Sequence, residues 1–287
     1  MQELELIADY GCVVGEGPMW HPLEQRVYWL DIVTGRLFRY DPASGQHEQV
    51  YEAGEAIGGF TVQADGALLL FMARGAIKTW RDGQVTAVID EIPEERHTRF
   101  NDVVADPVGR VYAGTMATAD RPGRLYRLDP DGTLTVTLDD VGIPNGMDFT
   151  PDLSQMYFTD SARQAIYLFD YDQATGTLSN QRVWVRTPPD RGVPDGLTVD
   201  SQGYVWSARW GDGALYRYAP TGEVDRRIEF PAQKVSSAIF GGPNYSHLYV
   251  TTAGGDNKPV EGPGAGALFR LRPGVQGRPP FLSRIRL

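Results

Sequence analysis

The sequence predicts an all-β fold, a six-bladed β-propeller with four antiparallel strands in each blade. Three observations support this fold: the 287 residues include 33 Gly and 20 Pro, long helical periodicity is missing, and a pattern of short strands recurs six times. Four short strands fit into a repeat of about 40 to 50 residues, the usual size of a propeller blade.

Each repeat contains two recognisable strands. The first reads RVYWLD, ALLLFM, RVYAGT, QMYFTD, YVWSAR and HLYVTT in the six copies, and the second reads RLFRYD, AIKTWR, RLYRLD, AIYLFD, ALYRYA and ALFRLR. The anchor residues of the first strand follow one another at spacings of 41, 43, 45, 49 and 43; they are Tyr28, Leu69, Tyr112, Tyr157, Trp206 and Tyr249. Six such units account for nearly the whole chain, so we expect one domain over residues 1–287.

The aromatic residues and the first segment of the chain complete this prediction. Aromatic side chains at a fixed position of a repeat are expected to pack between neighbouring blades, since each blade buries its faces on the next. The segment LELIADY precedes the first repeat and has strand character. An open ring would leave unpaired sheet edges. We therefore expect this segment to supply the outer strand of the last blade and to close the ring.

Composition excludes several classes of partner. The net charge of −10 argues against a nucleic acid or an anionic membrane. The amino terminus carries acidic residues where a secretory signal needs a basic start, and no run approaches the roughly 18 apolar residues of a membrane span. Cys12 is the only cysteine, which precludes an internal disulfide. We expect a cytoplasmic protein, a monomer or a weak homo-oligomer.

Polar residues recur at one position of the repeat. Counting back 11 or 12 residues from each anchor gives Glu16, Ile57, Asn101, Asn145, Asp195 and Ser237. Connections in an up-and-down blade alternate between the two faces of the disc, so these positions share one face, where the innermost strands begin beside the axis. Four of the six are carboxylates or amides. Carboxylates held so close would repel one another unless a cation lies between them, so we predict a site for one divalent cation.

The chemistry of this set favours a hard cation and an open site. Glu16 and Asp195 offer carboxylate oxygens, Asn145 offers an amide oxygen, and Asn101 lies close by. An all-oxygen set suits Ca²⁺, Mg²⁺ or Mn²⁺ and is less typical of zinc; we expect Ca²⁺, with Mg²⁺, Mn²⁺, Zn²⁺ and Fe²⁺ as alternatives. Three or four protein ligands would leave coordination positions open for water and substrate. Arg99 lies two residues before Asn101 on the same face, and its guanidinium is suited to binding substrate hydroxyls or carboxylates.

Asp195 belongs to one of five Asp-Gly pairs, a dipeptide that usually marks a hairpin turn. Four of these pairs occur at turn positions of the repeat, at Asp65, Asp82, Asp131 and Asp212. Asp195 alone lies 11 residues before its anchor, at the position shared with Glu16, Asn101 and Asn145. We therefore interpret it as a ligand rather than as a turn residue.

The tetrapeptides GEGP, RFND, IPNG and VPDG around these four residues resemble the gluconolactonase/regucalcin (senescence marker protein) family. The similarity extends from Glu16 to Leu271 and includes RFNDVVADPVGRVYAGTM and VPDGLTVDSQGYVW. The resemblance implies a six-bladed propeller that binds one divalent cation and hydrolyses sugar lactones. It further implies that Glu16, Asn145 and Asp195 bind the metal and that Arg99 and Asn101 contact the substrate.

The sequence departs from animal members of this family directly after GTM, where they carry acidic residues. Here the segment holds three uncharged residues, Ala117, Thr118 and Ala119. The substrate preference of the animal proteins is therefore not transferred to this chain. Two long loops on the same face, 115–124 and 252–267, are the segments that we expect to select the substrate.

The leading hypothesis is a metal-dependent hydrolase that opens aldonolactones such as gluconolactone or a pentonolactone. The cation would polarise the lactone carbonyl and activate water, and Asp195 would be both ligand and candidate general base. One alternative is a promiscuous hydrolase of other lactones or organophosphates. Another is a non-catalytic calcium-binding propeller, because a propeller fold alone does not imply turnover. Motifs of serine hydrolases, zincins and nucleotide-binding proteins are missing.

Overall fold

The computed structural model describes residues 4–286, and over that range the fold is almost entirely antiparallel β-sheet. The first strand, β1 (Glu5–Asp9), lies apart from the strands that follow it in sequence. The next sixteen strands form four separate four-stranded sheets. These are β2 (Gly15–His21), β3 (Arg26–Asp31), β4 (Arg36–Tyr40), β5 (His47–Glu52); β6 (Ile57–Val62), β7 (Leu68–Met72), β8 (Ile77–Arg81), β9 (Gln84–Ile89); β10 (Phe100–Ala105), β11 (Val111–Thr115), β12 (Gly123–Leu128), β13 (Leu134–Val141); and β14 (Pro144–Phe149), β15 (Gln155–Asp160), β16 (Ala165–Asp172), β17 (Thr177–Arg186).

The other seven strands join β1 in one eight-stranded sheet. They are β18 (Val193–Val199), β19 (Val205–Trp210), β20 (Ala214–Tyr218), β21 (Val224–Glu229), β22 (Lys234–Gly241), β23 (His247–Ala253) and β24 (Ala267–Leu271). A short helix, α1 (Lys258–Glu261), lies between β23 and β24.

The structure thus confirms an all-β, propeller-like fold built from four-stranded antiparallel units, with one difference from the expected six separate sheets. Two sets of four strands, β18–β21 and β22–β24 with β1, are joined through the single residue pair Trp210–Lys234 at the ends of β19 and β22. Hydrogen bonding at this one pair merges the last two sets into one sheet.

The ring closes as the sequence predicts. β1 pairs antiparallel with β24, with Leu6 opposite Phe269, so the amino-terminal segment is the outer strand of the last set. Arg270 Nη2 lies 2.6 Å from Glu5 Oε2 across this pair. The first and last strands of the chain are therefore held together within one sheet, and β1 covers the edge that β24 would otherwise leave unpaired.

The innermost strands form a closed ring around the axis. In order, β2 contacts β6, β6 contacts β10, β10 contacts β14, β14 contacts β18, β18 contacts β22, and β22 contacts β2. Close approach between them requires glycine: a Cβ on Gly146 would lie 2.2 Å from the backbone nitrogen of Leu197, and one on Gly196 would lie 2.1 Å from Ser237 Oγ. The glycine that follows Asp195 therefore allows strand packing and does not form a turn.

The core lies between neighbouring sheets and contains the repeated aromatic residues, as predicted. The anchors Tyr28, Tyr112, Trp206 and Tyr249 are each no more than 1% exposed. Burying one such side chain contributes about 1.5–3 kcal/mol of transfer free energy. Trp206, for example, packs edge-on against Phe240, with ring centroids 6.1 Å apart.

The carboxyl-terminal segment after β24 crosses the face at the far end of the inner strands, which the sequence did not predict. Arg278 Nη2 donates to the Phe149 carbonyl at 2.6 Å and lies 3.2 Å from Asp148 Oδ1. Ser283 Oγ lies 2.8 Å from Thr61 Oγ1. This segment therefore connects several sheets and covers a small cavity of about 90 Å³ at that end of the channel.

Candidate metal and substrate site

The predicted polar residues line one cavity of about 360 Å³ at the mouth of the ring. Glu16, Asn101, Asn145 and Asp195 are each 3–5% exposed, and Arg99 lies beside them. They come from four different innermost strands or, for Arg99, from the residue before one. The structure therefore brings together all five residues that the sequence singled out, while their roles remain predictions.

A local irregularity in each innermost strand aims these side chains. The pairing register shifts between Glu16 and Met19 in β2 and between Asn145 and Met147 in β14. Corresponding shifts follow Phe100 in β10 and Pro194 in β18. Such bulges bend a strand and redirect a side chain that regular alternation would point elsewhere. The repeated bulge explains why polar side chains converge on the axis from strands that otherwise pack in the core.

A chain of hydrogen bonds crosses the floor of the cavity. Arg99 Nη1 donates to Asn101 Oδ1 at 2.5 Å, and Asn101 Nδ2 donates to Asn145 Oδ1 at 2.8 Å. Asn145 Nδ2 donates to Ser161 Oγ at 2.7 Å, and Ser161 Oγ donates to the Pro194 carbonyl at 2.5 Å. Because the hydroxyl proton of Ser161 is committed to Pro194, its oxygen accepts from the amide nitrogen of Asn145. This arrangement fixes which side of the Asn145 amide carries the oxygen.

Burial and mutual repulsion disfavour the charged forms of the carboxylates of the site. Burial raises the pKa of Glu16 well above its usual range, and repulsion from Asp195 and Asp102 raises it further. Burial likewise raises the pKa of Asp195 well above its usual range, with Asp102 adding to the effect. Burial lowers the pKa of Arg99, and the charges of Glu16, Asp102 and Asp195 oppose this effect. A cation bound among these carboxylates would stabilise their charged forms.

The donor set fits a hard divalent cation. Within residues 4–286 no group of three or more His, Cys, Asp or Glu side chains is arranged to hold a metal ion. The cavity instead offers two carboxylates and amide oxygens, and none of the histidines in the described chain lines it. Carboxylate and amide oxygens are typical ligands of Ca²⁺, whereas structural zinc sites use Cys and His.

Sequence reasoning missed Ser161 and the apolar wall of the cavity. Six apolar residues, which we call the apolar collar, line the cavity together with the polar floor: Val14, Ile32, Met116, Ile143, Val193 and Trp210. Ile32, Met116 and Ser161 each directly follow the second strand of their sheet, and Trp210 ends its own. The position directly after the second strand of each repeat was therefore the sequence signal that could have identified these cavity-lining residues.

The two long loops differ in their relation to the cavity. Met116 is the lining residue that segment 115–124 contributes, while no described residue of segment 252–267 lines the cavity. The second segment is instead fixed to its surroundings: Lys234 Nζ lies 2.6 Å from Glu261 Oε1, and Gly264 N donates to the Pro231 carbonyl at 2.7 Å. The expectation that segment 252–267 selects the substrate is therefore not supported by the cavity lining.

Comparison with known proteins places this geometry in a family. The protein-family model described as SMP-30/Gluconolactonase/LRE-like region matches residues 14–254 of the chain. The chain belongs to this family. The match spans the innermost strands and all five polar residues predicted for the site, which confirms the resemblance seen in the sequence.

Two relatives and one solved structure show how far the similarity extends. The pentonolactonase XacC of Haloferax volcanii is 48% identical over 290 residues, covering 98% of each chain. Regucalcin of Danio rerio is 36% identical, covering 93% of this chain and 94% of that one. The crystal structure of a calcium-binding protein, regucalcin from Agrobacterium tumefaciens, superposes with a TM-score of 0.90 at 27% identity and covers 100% of this chain and 98% of that one.

Proposed function

We propose that the chain is a divalent-cation-dependent sugar lactonase that opens aldonolactones to aldonic acids. The observation that carries the proposal is the single cavity in which Glu16, Asn145 and Asp195 present buried oxygens beside Arg99. The 48% identity to a protein named pentonolactonase over nearly the whole chain supports the enzyme class. A pentonolactone is accordingly the first substrate to test, followed by gluconolactone.

The proposal includes the complete ring as a single domain. We count the eight-stranded sheet as the fifth and sixth blades, because only the Trp210–Lys234 pair joins its two sets of four strands. The closed ring of innermost strands supports six blades around one axis.

Glu16, Asn145 and Asp195 are the residues that would hold the cation, with Asn101 beside them. The excess of buried carboxylates and the fixed amide oxygen of Asn145 support this assignment. Ca²⁺ is the first ion to test, because the donor set suits it and a close structural neighbour is described as a calcium-binding protein. When bound, such a cation would supply Lewis acidity that polarises a carbonyl and lowers the pKa of water.

The residues of the chain have distinct tasks in the reaction. Arg99 uses Nη1 to hold Asn101 and Phe100, and the other nitrogens of its guanidinium are suited to binding substrate hydroxyls. Asp195 accepts a proton from the attacking water, whose oxygen bonds to the lactone carbonyl carbon. The bond from that carbon to the ring oxygen then breaks, and the ring oxygen receives the proton.

A titration assay tests this function. Protein stripped with a chelator is supplied with Ca²⁺, Mg²⁺, Mn²⁺, Zn²⁺ or Fe²⁺, and acid release from pentonolactones and gluconolactone is followed at constant pH. Turnover that is lost on stripping and restored by a cation supports the proposal. Tight Ca²⁺ binding without turnover on any lactone would favour the non-catalytic calcium-binding alternative, which the regucalcin relatives motivate. The cytoplasmic location and the monomeric or weakly oligomeric state remain predictions.

A further inference from the structure

The apolar collar surrounds the polar floor on the mouth side of the cavity. Three collar residues lie two positions before a donor residue, at the start of an innermost strand or directly ahead of it. They are Val14 before Glu16, Ile143 before Asn145, and Val193 before Asp195. Residues two apart in an extended chain point to the same face, so these three side chains lie one step nearer the mouth than the donors that follow them. Ile32, Met116 and Trp210 add apolar surface at the ends of second strands.

The backbone N–H and C=O groups of the collar residues already have hydrogen-bond partners within the fold. Val14 N donates to Asp31 Oδ1 at 3.0 Å, and the Val14 carbonyl accepts from Ile32 N at 3.0 Å. Ile143 repeats this arrangement: its N–H donates to Asp160 Oδ1 at 3.1 Å, and its carbonyl accepts from Ser161 N at 3.0 Å.

Val193 pairs with Trp210 in the sheet ladder, and Met116 N donates to the Arg99 carbonyl. The main-chain groups of the collar are thus already used within the fold.

Few partners are left for the hydroxyls of a bound sugar lactone. The carboxylates of Glu16 and Asp195 and the amide oxygen of Asn145 are assigned to the proposed cation site. The amide N–H groups of Asn101 and the hydroxyl proton of Ser161 are already donated within the floor, which leaves the guanidinium of Arg99 as the main donor for substrate hydroxyls. A hydroxyl that is transferred from water into an apolar site without a partner loses its hydration uncompensated. A methyl group at the same place gains contact with the collar instead.

We propose that the collar selects lactones whose exocyclic substituent is apolar, so that 5-deoxypentonolactones are better substrates than the corresponding pentonolactones. The inference rests on the proposed lactonase function and specifies the substrate class of that site. The lactone carbonyl is held at the polar floor. The methyl group (C5), attached to the ring carbon C4 that bears the ring oxygen, lies against the collar. Trp210 contributes a flat face that packs on the C–H groups of the ring.

Matched pairs of substrates test the proposal on the cation-loaded enzyme. D-Ribono-1,4-lactone and L-arabinono-1,4-lactone are each compared with their 5-deoxy analogues, and kcat/KM is measured for all four. We expect kcat/KM to be about 10- to 100-fold higher for the deoxy member, the discrimination that an apolar pocket achieves against a hydroxyl. Equal values, or faster hydrolysis of the hydroxymethyl lactone, overturn the collar proposal while leaving the lactonase function intact. Failure to hydrolyse any of the four with any divalent cation overturns both.

A variant pair assigns the selectivity to the collar. Val193→Thr keeps the side-chain shape and adds a hydroxyl, so the deoxy-to-hydroxymethyl ratio of kcat/KM should fall by several fold. Val183→Thr is the matched control, because Val183 lies on the outer strand β17 and is 42% exposed; its ratio should equal that of the wild type. Since each ratio is taken on a single protein, partial misfolding does not change it. An unchanged ratio in Val193→Thr would contradict the assignment.

Discussion

Ser161 provides the sharpest test of how the site is organised, because it orients Asn145 without belonging to the proposed ligand set. Ser161 is 3% exposed, and its Oγ accepts from Asn145 Nδ2 at 2.7 Å while donating to the Pro194 carbonyl at 2.5 Å. In Ser161→Ala both hydrogen bonds are lost, and the donation from Asn101 Nδ2 at 2.8 Å is left to orient the Asn145 amide.

The magnitude follows from these two contacts. Each hydrogen bond contributes a net of about 0.5–1.5 kcal/mol, so the two bonds together account for about 1–3 kcal/mol of the free energy of unfolding. Because a buried amide also loses its acceptor, we expect the loss to lie in the upper part of this range, at about 2–3 kcal/mol. Loss of a group that orients a metal ligand typically costs about 10- to 100-fold in affinity. We therefore expect the dissociation constant for Ca²⁺, measured by isothermal titration calorimetry, to rise by that factor.

Ser283→Ala is the matched control for this experiment. Ser283 is fully buried, and its Oγ lies 2.8 Å from Thr61 Oγ1 and 3.2 Å from the Val62 carbonyl, away from the cavity. Its removal should reduce stability by a similar amount and leave the Ca²⁺ affinity unchanged. The reasoning is refuted if Ser161→Ala binds Ca²⁺ as tightly as the wild type, or if both variants weaken binding equally.

Two further predictions concern the features that hold the ring together. Arg278→Ala leaves the Asp148 carboxylate without its guanidinium and should lower the free energy of unfolding, measured by chemical denaturation, by about 1–3 kcal/mol. The control Arg182→Ala removes an exposed ion pair with Asp170 and should change it by less than about 1 kcal/mol. Equal effects of the two variants would contradict the idea that the carboxyl-terminal segment holds the sheets together. Deleting residues 1–9 removes the outer strand that pairs with β24. The deletion should lower the midpoint of thermal unfolding and increase aggregation through the exposed edge of β24. An unchanged midpoint would show that ring closure contributes little to stability.

The repeat made most of the fold predictable from the sequence. The spacing of the anchors located the first and second strands, and LELIADY was correctly expected to pair at the end of the chain, because both inferences depend only on local periodicity and on the need to close a ring. The course of residues 272–286 was not predictable, since that segment lacks the repeat and is held by contacts such as Arg278 with Asp148. The single pair that merges the last two sets of strands depends on tertiary geometry rather than on pattern.

The site was predictable only in part, for a related reason. Position within the repeat separated Asp195 from the Asp-Gly turns, and the structure places it in β18 beside the cavity, whereas Asp131 lies exposed in a turn and accepts from Thr133 N. Ser161 directly follows the second strand of one repeat, at the position where other repeats carry Ile32 or Met116, so no shared residue type marked it. Cross-blade hydrogen bonds of this kind join residues that are distant in sequence and appear only when the ring is assembled.

The most direct test compares Asp195→Asn with Asp131→Asn in the lactone assay. Both substitutions remove one carboxylate from an Asp-Gly pair, and only the first lies in the cavity. We predict that chelator-stripped wild type and Asp131→Asn regain full turnover with a divalent cation, while Asp195→Asn loses Ca²⁺ binding and about 100- to 10,000-fold in kcat. Full activity of the stripped wild type, or activity of Asp195→Asn equal to that of Asp131→Asn, would contradict a cation-dependent lactonase centred on Asp195.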